Sequence, residues 1–173
     1  MADVETRCSG GFIDHDKLRE LYRFWDRRRG EAPYPVWSAF VAEEFKSWMG
    51  HVMIIEPIGS PPRFRVRLHG TRLFDYDGKD LTGWYLDKAV PERSLGNVVG
   101  PYLAAVVRGT PQYDTMCSPF EAGTVRRLCR LVLPCSNTGD SVDRLLVGIY
   151  LDVHENEQPA HYRPAPSRPP YGR

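Results

Sequence analysis

The sequence has almost no excess charge of either sign, 23 Lys and Arg standing against 22 Asp and Glu, for a formal net charge of +1 in 173 residues. A concentrated basic surface, the footprint of a nucleic-acid or anionic-membrane partner, is therefore not expected. Long apolar runs are missing too, none approaching the ~20 residues that cross a bilayer. The opening MADVETRCSGGFIDHDK is polar and acidic and holds no apolar signal core. These absences predict a cytoplasmic protein. Cysteine is scarce: Cys8, Cys117, Cys129 and Cys135 form no CxxC pair and no Cys/His cluster at zinc spacing. They read as buried thiols packing as small hydrophobes.

Motifs of several chemistries are also lacking. There is no GxSxG elbow and no phosphate-cradling glycine loop. The segment DYDGKD fails as a calcium loop counted from Asp75, because Asp80 stands where Gly is required and Leu86 where a bidentate Glu belongs. The His residues with metal-like neighbours are His15, between Asp14 and Asp16, and His154 with His161. They lie near the ends of the sequence and read as solvated, so no metal site is expected. His69 sits among arginines and reads as a surface residue or a partner contact.

What is present is a globular pattern, 42% hydrophobic, at a length suited to one domain of about 100–200 residues. Residues 1–15 read as a flexible N-terminus, 16–50 as a helical leader, 51–153 as a core domain and 154–173 as a disordered tail. From His154 onward there is no Leu, Ile, Val or Phe and there are five prolines, too little apolar surface to offset ordering entropy. Its RPAPSRPP stretch is either a solvated end or a polyproline II ligand. Leu18, Leu21, Tyr22 and Trp25 fall on one stripe at helical period and predict a helix over 16–29, capped by Asp14 or Asp16 and stopped by Gly30. Ser38 opens a second predicted helix, with Val41, Phe45, Trp48 and Met49 on one face, ending at Gly50. The period then changes to two. His51 to Pro57 is a short apolar strand, and RFRVRLHG alternates Phe64, Val66 and Leu68 with Arg63, Arg65, Arg67 and His69, so the pair predicts an antiparallel hairpin. Short helical turns over 70–88 precede a long helix over 92–108, bent at Gly100 and Pro101 and ended by Gly109. Strands are predicted over 112–117, 125–135 and 143–152. Val125, Cys129, Leu131 and Leu133 share one face of the second; Leu145, Val147, Ile149 and Leu151 share one face of the third. The class is α+β, a five-stranded antiparallel sheet with helices on one side and a helical leader.

This order resembles the PAS fold, whose five-stranded antiparallel sheet is interrupted after its second strand by short helices and one long helix. Arg63 to Asp87, RFRVRLHGTRLFDYDGKDLTGWYLD, is similar to the marker block of a PAS-like family found in alphaproteobacteria, an R-x-x-G-T strand end followed by G-x-D-L-T-G. Leu131 to Asp152 resembles that family's closing hairpin, and FWDRRRG with its proline-containing link resembles its leader. The resemblance implies a sensory or regulatory module without catalytic output. The motif positions Arg67, Gly70, Thr71, Gly78, Asp80, Thr82 and Gly83 read as structural: glycines for special backbone, Asp and Thr as caps of short helices, and Arg67 as the partner of a carboxylate such as Asp80. Against that family, residues 70–88 lack the reactive Cys of a flavin photosensor and residues 92–108 lack a haem-ligating His, leaving the cofactor unassigned.

Any pocket between sheet and long helix is expected to be small and apolar, with Tyr76, Trp84, Tyr102, Cys129, Leu131 and Ile149 as candidate lining residues; plain core packing is the competing reading. With no effector domain legible after Asp152, a signal is expected to leave through a surface. The leader offers Leu21, Phe24 and Trp25 as a candidate interface for a homodimer or a regulatory partner. A small apolar ligand gating that contact, and a cone-type enzyme with an acid/base pair in the cavity, are the other readings.

Overall fold

The computed structural model describes residues 7–8, 11–119 and 124–155. The Pro-rich tail, His161, Val125's side chain and the side chains of Cys8, Cys117 and His154 lie outside what it describes. Two short strands, β1 (Arg7–Cys8) and β2 (Gly11–Phe12), pair with each other ahead of α1 (Asp16–Arg29). Two 3-10 segments, Trp37–Ala39 and Ala42–Trp48, follow. Next come β3 (Val52–Ile58), β4 (Arg63–His69), α2 (Thr71–Asp77), α3 (Leu86–Ala89), α4 (Glu92–Arg108), β5 (Gln112–Pro119), β6 (Thr124–Cys135) and β7 (Arg144–Glu155). The last five strands form one antiparallel sheet in the order β4-β3-β7-β6-β5. The α+β expectation and the strand–helix order hold.

Both faces of this sheet are buried. On one, Met53, Ile55, Phe64, Val66, Leu128, Val132, Leu145, Val147 and Ile149 pack against α2, α3 and α4. On the other, Ile54, Cys129, Leu131, Leu133 and Leu146 pack against the leader. Alternation sends successive side chains to opposite faces, so β3, β6 and β7, apolar on consecutive positions, serve two cores at once. Helix α1 supplies Leu18, Leu21, Phe24 and Trp25, all buried. It lies close to the sheet at Gly148, where a Cβ would stand 2.6 Å from Leu18 Cδ2 and 2.7 Å from Leu21 Cδ2. Trp25 Nε1–H donates to the Pro134 carbonyl (2.8 Å) and Trp48 Nε1–H to the Lys17 carbonyl (2.8 Å), so each buried indole keeps a partner.

Several local expectations change. The N-cap of α1 is His15, whose Nδ1 accepts from the Leu18 amide and whose ring lies 4.4 Å from that of Tyr150. Neither neighbouring aspartate caps, because Asp16 is already helical and Asp14 is drawn to Tyr113 and Arg127 across the sheet. Residues 38–50 are not one helix: Val41 is extended between the two 3-10 segments. A run whose aromatic rings Phe40, Phe45 and Trp48 all reach Phe24 follows its packing contacts rather than helix propensity. Phe24 meets Phe40, Phe45 and Trp48 at ring centroid distances of 5.4–5.5 Å.

Besides its apolar packing, the long helix is hydrogen-bonded to the sheet through one side chain. Arg130 on β6 is 2% exposed. Its Nε and Nη2 donate to the two oxygens of Asp114 on β5 (2.9 and 2.7 Å), and its guanidinium lies 5.0 Å from the Tyr102 ring. Nη1 donates to the carbonyl of Val98 (2.7 Å) and Nη2 to that of Asn97 (3.1 Å). In an uninterrupted α-helix the Asn97 carbonyl would accept from residue 101. That residue is Pro101, which has no N–H, and Arg130 replaces the missing donor. Burial alone would lower the pKa of this guanidinium; Tyr102 and Asp114 more than offset it.

Removing Arg130 leaves Asp114 and the Asn97 carbonyl without partners. Arg130→Met is expected to lower unfolding free energy by about 3 kcal/mol, at the low end of the range for one half of a buried pair because Asp114 keeps 29% exposure. Pro101→Ala restores a helical N–H. It is expected to change little alone but to recover about 1 kcal/mol in the Arg130→Met background, as read by urea denaturation of the four-member cycle. A second expectation concerns acid. Burial acts to raise the Asp14 pKa, but the Tyr113 hydroxyl and the Arg127 guanidinium outweigh it and hold the carboxyl below its ordinary 3.8. Its contribution is present above the unfolded value and is lost as pH falls through the folded one. Thermal melts of Asp14→Asn should therefore lose less stability than wild type on acidification below pH ~4.

Candidate functional site

The site begins with an irregularity in the β3–β4 hairpin. Ile54 pairs with Leu68 but Ile55 pairs with Val66, so Arg67 is an extra residue in β4. Such a bulge reverses the alternation beyond it. Phe64 and Val66 face the α2–α4 core as their pattern predicts, whereas Leu68 turns to the leader face and His69 turns inward. This corrects two expectations: Leu68 does not join Phe64 and Val66, and His69, its side chain fully buried, is no surface residue.

Leu68, Ile54 and Leu146 then make one rung across three strands on the leader face. Helix α1 covers β6 and β7, and this rung floors an apolar pocket of about 480 Å³. The roof is the segment 37–49, contributing Trp37, Phe40, Phe45 and Met49. It is pinned at one end by Trp37 N–H to the Ser136 carbonyl (2.6 Å) and Ser136 N–H to the Pro35 carbonyl (3.1 Å). At the other, Arg72 N–H donates to the Gly50 carbonyl (3.0 Å). The volume lies within the ~300–1,000 Å³ of small-molecule sites, and the lining is apolar with few polar groups. A more open depression of about 560 Å³, with Arg29 and Arg108 in its wall, lies where the C-terminal ends of α1 and α4 meet.

His69 lines the pocket and is its sole titratable lining group among the described residues. Its Nδ1 accepts from the Leu81 amide (3.4 Å), which leaves Nε2–H to donate to Asp77 (2.8 Å). Burial raises the Asp77 pKa, and the histidine partly offsets it. Both ring nitrogens are thus engaged within the protein, and the pair joins β4 to α2 and to the chain entering α3.

The motif residues gather around this junction. Gly70 has an ordinary φ of −63°, but a Cβ there would stand 2.3 Å from the Gly50 carbonyl oxygen. Its reason is close backbone approach, whereas Gly78 (φ +70°) and Gly83 (φ +86°) hold left-handed backbone. Asp80 accepts from the Thr82 amide (2.8 Å) in a turn rather than capping a helix, and α2 and α3 start on Gly70 and Tyr85 with no side-chain cap. Thr71 lines the pocket. Arg67 does not reach Asp80; its nearest carboxylate is Glu56 at 4.0 Å, because alternation keeps it on the face of Arg65 and Glu56 while the bulge beyond it turns His69 toward Asp80. Gly83 N–H and Val66 N–H bond reciprocally to the Val66 and Trp84 carbonyls (2.7 and 2.8 Å), covering the open edge of β4.

The six candidate lining residues do not converge. Tyr102 and Ile149 lie in the α2–α4 core, while Cys129 and Leu131 lie in the leader core. Register is the reason: Ile149 pairs with Arg130, so the neighbours of Arg130 in β6 point the other way. Tyr76 and Trp84 are exposed, the latter under Lys79 Nζ at 4.5 Å from its ring. Leu21, Phe24 and Trp25 are not an exposed interface either, since the aromatic roof and the sheet bury them. Sequence reasoning missed Leu68, Trp37 and Phe40. For Trp37 and Phe40 the signal was the aromatic density of 37–48, where both lie outside the predicted stripe of Val41, Phe45, Trp48 and Met49; for Leu68 nothing in the sequence marks the bulge.

A model of the PAS domain family matches residues 13–108. This chain belongs to the PAS domain family. The matched span takes in α1 and the pocket's roof together with β3, β4 and α2–α4, and it places this PAS domain among sensory and regulatory modules. No curated protein and no solved structure matches the chain. No helix among the described residues is long and apolar enough to cross a membrane.

Gly70→Ala is expected to destabilise by at least ~3 kcal/mol or abolish folding, since a backbone carbonyl cannot give way as a side-chain tip can. Gly148→Ala, which meets only two leucine tips, is the control, with a loss of about 1–2 kcal/mol. Chemical denaturation of the pair checks both.

Proposed function

We propose that this PAS module is a sensor that acts by protein–protein contact, as a homodimer or with a regulatory partner, and that a small apolar ligand in the pocket beneath 37–49 gates the contact. The pocket's roof carries the reading. It is built of 3-10 turns, whose hydrogen bonds are poorer than those of an α-helix, and it is held to the body by aromatic packing. Val41 and Met49 on the same segment are 52% and 65% exposed. A ligand that favours one roof position would shift its population and with it the apolar surface shown to a partner. A non-catalytic role is supported by the His69–Asp77 pair, which spends its nitrogens on the fold. The cone-type enzyme would need a second titratable group facing a free first one in the cavity.

The test fills the pocket. Leu68 is 45% exposed, so Leu68→Trp adds volume to the cavity without overpacking either core. It is expected to slow amide exchange over 37–49 by about tenfold and to change the dimer fraction seen by native mass spectrometry. Unchanged exchange in that segment, or a monomer with no retained small molecule in the wild-type spectrum, would overturn the proposal.

A further inference from the structure

One rung beyond the pocket floor the same sheet face becomes cationic. Glu56 follows Ile54 by two residues on β3, Arg144 precedes Leu146 by two on β7, and Arg65 pairs with Glu56 from β4. Alternation, with the bulge at Arg67, puts all three on the face of Leu68, Ile54 and Leu146. Glu56 Oε2 accepts from Arg65 Nε (3.2 Å) and Nη2 (2.6 Å). Its other oxygen is left with a long bond from Arg144 Nη2 (3.4 Å), and Arg67 Nε stands at 4.0 Å.

Three guanidinium groups therefore share one carboxylate, and the partners are unevenly satisfied. Among the described residues, Arg144 Nε is buried with no acceptor. Arg67 is 66% exposed on the bulge, and among the described residues its Nε has no acceptor nearer than Glu56 at 4.0 Å. The adjacent Asp143 carboxylate is committed to the Asn137 amide (3.0 and 3.1 Å). The Arg144 guanidinium lies 4.9 Å from the ring of Trp37, and that ring is a wall of the pocket. An apolar cavity thus adjoins donors that lack acceptors. Guanidinium groups recognise a planar carboxylate well, through parallel N–H···O bonds.

We propose that the ligand of this pocket is an amphipathic carboxylic acid, its apolar body over Leu68, Ile54 and Leu146 and its carboxylate on Arg144 and Arg67. This rests on the pocket-ligand reading above and adds the chemical class. The head group is what distinguishes it from a neutral hydrophobe of the same size.

Decanoate and 1-decanol serve as size-matched probes in isothermal titration calorimetry with the full chain. Wild type is expected to bind decanoate at least about tenfold more tightly than decanol, the scale of a charge-assisted pair. Arg144→Met should bring decanoate down to the level of decanol, with retained decanol binding as evidence that the variant is folded. Arg67→Gln, on the exposed bulge, should reduce decanoate alone by about threefold and keeps the test available if Arg144→Met does not fold. Leu68→Trp should abolish both. Equal affinity for the two probes in wild type would overturn the carboxylate assignment and leave the apolar pocket standing. Binding of neither would overturn both readings, and a decanoate preference that survives Leu68→Trp would place the anion elsewhere and overturn this one.

Discussion

The guanidinium of Arg130 is the point on which the arrangement of this sheet depends. A charged side chain facing a core is tolerable only if every donor is met, and its known partners come from three directions: Asp114 beside it in the sheet, the Tyr102 ring, and two carbonyls of α4. One of those carbonyls is free because Pro101 interrupts the helix ladder. The proline, which reads in isolation as a defect, therefore supplies the acceptor that seats the helix. With α4 held there, the α2–α4 face closes into an aliphatic core, and the opposite face is left for the leader.

A sheet buried on both faces changes where a ligand can go. The space between sheet and long helix is occupied by side chains, whereas the leader covers its face incompletely. Helix α1 lies over β6 and β7, close at Gly148, and the edge rungs of β3 and β4 are left to the aromatic segment that follows. The bulge at Arg67 completes the pocket by turning Leu68 into its floor and setting His69 at its edge, bonded to Asp77 of α2. The same single-residue insertion brings Leu68 onto the face that Arg67 already shares with Arg65 and Glu56. The bulge thus sets the apolar floor beside the cationic rim.

Much of this was legible beforehand. The period of 3.6 in 16–29 and 92–108 and the period of two in the strands located every principal element, because those signals are local and each segment buries a definite face. The G-x-D-L-T-G block pointed to the family. Less legible were the positions where a local rule gives way to a distant contact: Phe24, off the helical stripe, is covered by rings sixteen and more residues away, and residues 38–50 yield their helix to that packing. Of the six pocket residues, Cys129 and Leu131 parted from Ile149 because each strand was read apolar on one face, when its register against a neighbour decides which face is which.

The amino-acid sequence by itself determined the class, the element order and the family, since periodicity, punctuation and a marker block are properties of contiguous residues. Tertiary structure alone decided that Leu68 and His69 change sides, that His69 is thereby buried, and that Arg130 completes a helix broken by proline. Each of these depends on one residue of register, on a side chain reaching more than thirty positions along the chain, or on which element covers a face. Hydrophobic pattern carries none of that information, because burial against a neighbour is decided only when the neighbours are in place.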